Sequence, residues 1–198
     1  MTNIALPSRF ENKLSTDQFM EGVIKVTLSQ FGDIYKANKL YFFEEYTDHG
    51  LTHIEKVIAS LDSLIPDNTF DRILGSNDLG YCVLAVLLHD IGMHISLEGF
   101  KFLIDGGFDD LRVKDLDKKN WAELWHHFLT IAKRFSGKTL RSIFGNENLN
   151  IRIPPVDKPD EINGYDQKLI GEFLRRNHAR LLNEILKNHC IGTILHIY

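Results

Sequence analysis

The stretch Tyr81–Leu88, YCVLAVLL, is eight apolar residues that run directly into His89 and Asp90. A membrane span needs roughly 20 residues, so this run has to be buried by protein. A buried strand and a buried helix both fit so short a segment. Helical stripes lie on either side and no turn-linked partner strand is present, so the run is expected to form a central helix, apolar all round. Asn77 or Asp78 could cap it, and Gly92 stands where it would end. The polar pair that follows must then be desolvated, which is unfavourable unless something answers its charge.

Periodicity of 3.6 dominates elsewhere. Ser15 or Thr16 could cap a helix with apolar residues at Phe19, Met20, Val23, Ile24, Leu28 and Phe31. A second stripe begins near His49 and includes Leu51, Ile54, Val57, Ile58, Leu61 and Leu64, with Pro66 to end it. A third carries Trp121, Leu124, Trp125, Phe128, Leu129 and Phe135, and a fourth starts at about Asp166 and runs through Ile185. Residues 136–164 have little periodicity and several Gly, Asn and Pro, which reads as a long loop or lid. The expected architecture is an all-α helical bundle forming one domain over residues 1–198, with a loop-rich insertion over about 95–165.

Composition bounds the partners. Apolar residues make up 43%, enough for a substantial core. A net charge of −4 argues against a broad nucleic-acid surface but leaves room for a local basic pocket. Cys82 and Cys190 form no CxxC pair, and the start MTNIALPSRFENK has no apolar leader region, so a reducing cytoplasm is the simplest setting and no membrane partner is expected.

Three segments could carry chemistry. In TDHGLTHIEKV, His49 and His53 are four apart and share a face if both are helical. Two such imidazoles can approach one divalent ion, and two surface histidines are the structural alternative. In LLHDIGMH, His89 and Asp90 form a donor set suited to a divalent metal; the alternative is a capping carboxylate beside a histidine bonded to a carbonyl. In GEFLRRNHARLLNEIL, His178 lies on the apolar stripe as a possible ligand or as a core histidine. Its neighbours Arg175, Arg176 and Arg180 could clamp phosphate oxygens or form a solvated basic face. His94 and His189 are further ligand candidates, and His126, His127 and His196 are read as structural.

Taken together, these segments resemble the HD superfamily of metal-dependent phosphohydrolases. YTDHGLTHIEKV looks like that family's first ligand motif, AVLLHDIGMH like its His-Asp motif, and GEFLRRNHARLLNEIL like its downstream His motif. The chain looks most like bacterial HD domains at the N-terminus of large multidomain proteins. The resemblance implies hydrolysis of a nucleotide or other small phosphoester. His53, His89 and Asp90 would hold a divalent metal ion (Mn, Fe, Mg, Zn or Ni), with His178 joining that site or holding a second ion. His49 would be a catalytic proton donor, Asp90 a catalytic carboxylate, and Arg175 and Arg176 would bind substrate. The family's distal Asp has no counterpart after Asp166. The chain is therefore expected to be the N-terminal part of a longer protein. The alternative is an incomplete HD module that binds metal or nucleotide and regulates a following domain.

Overall fold

The computed structural model describes residues 4–37, 40–43 and 50–187. Among them are nine α-helices and no strand, so the all-α expectation holds. The helices are α1 (Ser8–Leu14), α2 (Gln18–Ala37), α3 (Leu51–Leu64), α4 (Asp67–Arg72), α5 (Ser76–Leu88), α6 (Leu97–Ile104), α7 (Trp121–Ala132), α8 (Gly137–Phe144) and α9 (Gly164–Lys187). The chain divides into two compact units. The first comprises Met1–Lys39 and Tyr46–Ile91, the second Leu40–Glu45 and Gly92–Tyr198.

In the first unit α1, α2 and α3 all pack against α5. The apolar run is thus a helix at the centre of its unit, but it is not buried all round. Leu79, Val83 and Leu87, spaced by four, are at most 1% exposed, whereas Tyr81 is 64% exposed. Three neighbours leave one edge of α5 outward. Gly80 lets α2 come close, because a Cβ there would lie 2.2 Å from the Met20 side chain. The cap of α2 is Asp17, whose carboxylate accepts from the Phe19 and Met20 amides at 3.1 Å. Ser15 and Thr16, the expected caps, instead donate back to Asn12 and Lys13 carbonyls and close α1. Asp78 sits in the first turn of α5 and accepts from the Gly75 amide at 2.8 Å, so it is the returning half of a capping box rather than the cap itself. Arg9 and Lys13 tie α1 to the C-terminal ends of α3 and α4: Arg9 pairs with Asp62 and donates to the Ile65 carbonyl, and Lys13 donates to the Leu74 carbonyl. Both stand over the Phe70 ring.

The second unit has an aromatic core. Phe100 of α6, Trp125 of α7 and Phe173 of α9 meet edge to face, with Trp125 5.1 Å from each of the other two. Asn120 and Glu123 cap α7 reciprocally at 2.8 Å. Residues 136–164 are not all loop, because Gly137–Phe144 forms α8. Ser136 caps it, Gly145 ends it at φ 75°, and just Leu140 and Phe144 are buried, which left too short a stripe to read as helical.

Gly171 and Gly22 give opposite expectations on substitution. Ala in place of Gly inside a helix ordinarily gains about 1 kcal/mol. At Gly22 nothing lies within 4 Å of the new Cβ, so Gly22→Ala should raise the urea midpoint by roughly that amount. At Gly171 the Cβ would meet the Phe42 carbonyl at 2.6 Å, so strain of about 1–3 kcal/mol should outweigh the gain and lower the midpoint.

Candidate metal centre

His53 lies in the first turn of α3, just after Gly50, whose carbonyl accepts from the His53 amide. His89 is the cap residue at the C-terminal end of α5, and Asp90 follows it. All three belong to the first unit, where α3 packs on α5. Their ligand atoms lie within 4.8 Å of one another. Asp90 Oδ2 is 2.7 Å from His89 Nε2 and 3.7 Å from His53 Nε2. The Asp90 side chain is 12% exposed, while the imidazoles are 28% and 38% exposed for His53 and His89, so the site has a buried floor and an open rim.

The hydrogen bonds orient the donors for a cation. His89 Nδ1 is 2.7 Å from the Val86 carbonyl, one turn back. A carbonyl accepts only from an N–H, so Nδ1 carries a proton and Nε2 faces the cluster. Its hydrogen bond to Asp90 raises the His89 pKa; burial opposes this and the Val86 carbonyl adds to it. A proton shared by Nε2 and the carboxylate thus stands where a cation could stand in its place. Two imidazoles and one carboxylate suit a borderline divalent ion. The C-terminal end of a helix, with its partial negative charge, adds to that preference. On this donor chemistry the residues fit a divalent metal, which His53, His89 and Asp90 would hold.

The other sequence candidates belong to the second unit or lie outside the described residues. His49, the expected proton donor, lies outside them, as do His189 and His196. His178 lies on α9 in the second unit, with Nδ1 2.7 Å from the Arg175 carbonyl, the same orienting bond that His89 makes. His94 is 2% exposed within the second unit, and His126 and His127 are exposed on α7. Arg175 and Arg176 both donate to Glu172, at 2.9 and 2.7 Å, and Arg176 also stands by the Phe128 and Phe135 rings. Arg180 is drawn inward, where it bonds Glu184 and the Lys119 carbonyl. Tyr35 was not anticipated. It is 2% exposed on α2, and burial first, then the Asp90 charge, push its phenol well above the ordinary value. Its one sequence signal is that it continues the α2 stripe four residues beyond Phe31.

The family model HD-CE matches residues 43–195, most of the chain and all three clustered residues. The chain belongs to the HD-CE family. No curated protein and no solved structure matches it. In this HD-CE chain the matched residues include α3, α5 and α9, and they begin after α2 and Tyr35. No single helix among the described residues is long and apolar enough to cross a membrane.

Glu172 provides a pH test of the second unit. Burial pushes its carboxyl up, but the hydrogen bonds from Arg175 and Arg176 outweigh burial and hold it below its ordinary value of 4.5. A depressed folded-state pKa adds stability that is present above the unfolded value and is lost as pH falls through the folded one. Glu172→Gln should therefore lower the urea midpoint at pH 7, with the gap to wild type closing as the pH is taken below about 4.

Proposed function

We propose that this HD-CE chain is a metal-dependent phosphohydrolase acting on a nucleotide or another small phosphoester. The observation that carries the reading is the cluster of His53, His89 and Asp90 within 4.8 Å at the end of a core helix. A divalent ion there would supply positive charge for phosphoryl oxygens and acidify a water to a pKa near ~7. The chain's own groups have separate tasks. The Val86 carbonyl keeps His89 Nε2 turned to the cluster, and Asp90 Oδ2, 2.7 Å from that nitrogen, would offer a carboxylate oxygen to the same ion in place of the proton. His49, four residues ahead of His53, is assigned proton donation to the leaving oxygen. His178 is assigned as a further ligand from the sequence pattern.

Arg175 and Arg176 are assigned to substrate phosphate, for which the phosphate must compete with Glu172 for their donors. A reducing cytoplasm, in which Cys82 stays a free thiol, is the proposed setting. A module that binds metal or nucleotide at this site and acts as a regulator without hydrolysing it is the second reading.

Hydrolysis of a generic phosphodiester and of nucleotides, measured with added Mn²⁺ and after chelation, tests the proposal. Wild type should turn over only with metal. His89→Ala and Asp90→Ala should each lower the rate by on the order of 100-fold, since even groups behind a ligand are worth 10- to 100-fold. Activity that survives both substitutions would exclude this site as its source. Metal-dependent nucleotide binding without hydrolysis would favour the regulatory reading.

A further inference from the structure

We infer that α2 and α5 together present an apolar docking face, and that its occupant is the same face of a second copy of this chain.

Two contacts set the helix pair. Ser76, at the start of α5, donates to the Asp17 carboxylate that caps α2, at 3.3 Å. One turn further on, Met20 lies against Gly80. Both helices advance from the first contact to the second, so they run in the same direction. In two parallel right-handed helices, the residue just before a contact on one and the residue just after it on the other turn to the same side. Phe19 and Tyr81 hold those two positions. Steps of three and four extend the side to Val23 and Val26 on α2 and to Leu84 and Leu88 on α5. The opposite side carries Leu28 and Val83, both buried in the core of the first unit. The side with Phe19 and Tyr81 is open. Phe19 is 76% exposed, Tyr81 64% and Val26 56%, and the other three side chains are partly exposed.

The area suits a pair of copies. A fully exposed aromatic side chain offers roughly 200 Å², so Phe19 and Tyr81 supply roughly 280 Å² between them. With the four aliphatic side chains the face reaches roughly 500 Å², near the top of the range that monomeric proteins leave open. Two such faces bury about 1,000 Å², the least that a specific interface needs. Charge also fits. None of the six side chains is charged, and Glu21 and Lys25 pair with each other round the helix from them. A face without charge meets its own copy with no like-charge repulsion. The same lack of cations disfavours nucleic acid and anionic membrane, which Lys and Arg would attract. Phe19 and Tyr81 stand level with one another beside the Met20–Gly80 contact. A two-fold axis along the helices therefore lays each Phe19 on the other copy's Tyr81, a pairing that aromatic rings favour beyond the area they bury.

Sedimentation velocity of the whole chain over a range of concentrations tests the inference, with the thermal transition of each variant followed by circular dichroism. Wild type should pass from monomer to dimer in the micromolar range, as an interface of the minimum size would. Phe19→Glu and Tyr81→Glu should each raise the dissociation constant by on the order of 100-fold and keep a cooperative transition. Phe19→Ser and Tyr81→Ser remove the rings without adding charge and should weaken the dimer in the same way, which keeps the test decisive if a Glu variant does not fold. Leu64→Glu, at a 77% exposed residue of α3, should dimerise like wild type. Wild type that stays monomeric at roughly 100 μM overturns the inference and leaves the face to another occupant. Dimers as tight in the folded variants as in wild type also overturn it, because the copies then meet elsewhere. A loss in Leu64→Glu equal to that in Phe19→Glu overturns it as well, since added charge and not this face would be responsible.

Discussion

Helix α5 must bury Leu79, Val83 and Leu87 and must then surrender its last polar residues, His89 and Asp90, at the edge of the same core. Much of the first unit follows from that constraint. Covering one apolar face requires neighbours, and α1, α2 and α3 supply them. Once α3 packs on α5, His53 in its first turn comes within 3.7 Å of Asp90. The carboxylate is then too buried to be hydrated freely, and its charge is answered by the His89 ring at 2.7 Å. An arrangement of this kind is poorly explained as a stability device. A buried ion pair roughly breaks even against a hydrophobic replacement, so its retention points to use.

The second unit shows the same physics put to a structural purpose. Glu184 is fully buried, and its two oxygens take the Trp121 indole N–H at 2.5 Å and Arg180 at 2.8 Å. Arg180 continues to the Lys119 carbonyl and stacks 4.6 Å from the centre of the Trp121 ring. Both Glu184 oxygens are thus bonded inside the network, and among the described residues Glu184 belongs to no group of three or more metal-ligand side chains. At Asp90 the partners are two imidazoles whose nitrogens can exchange a proton for a metal. That difference in partner chemistry separates a bolt from a binding site.

The sequence was most informative where polar residues interrupted a strong apolar pattern. His89 and Asp90 stood out because they follow eight apolar residues, and His53 because it stands near the start of a clear stripe, four residues after His49. It was least informative where one residue type serves two purposes. Tyr35 extends the apolar stripe of α2 and reads as core; the Asp90 charge that adds to the effect of burial on its phenol comes from a residue distant in sequence. Helix α8 was hidden because its buried residues are two, Leu140 and Phe144, and its punctuation by Ser136 and Gly145 looks like loop composition. The all-round burial expected of α5 failed at Tyr81 because hydrophobicity counts residues and not the number of neighbours available to cover them. Arg175 and Arg176 read as a phosphate clamp from the pattern of basic residues, and the structure adds Glu172, one turn earlier and bonded to both.

The central claim is that His53, His89 and Asp90 together hold one divalent ion. Anomalous diffraction from crystals of the chain grown with Mn²⁺ tests it most directly. The account predicts a strong peak about 2.1 Å from His53 Nε2, His89 Nε2 and an Asp90 oxygen, with His89 Nδ1 still bonded to the Val86 carbonyl. Mn²⁺-saturated crystals with no peak among those three side chains would contradict it.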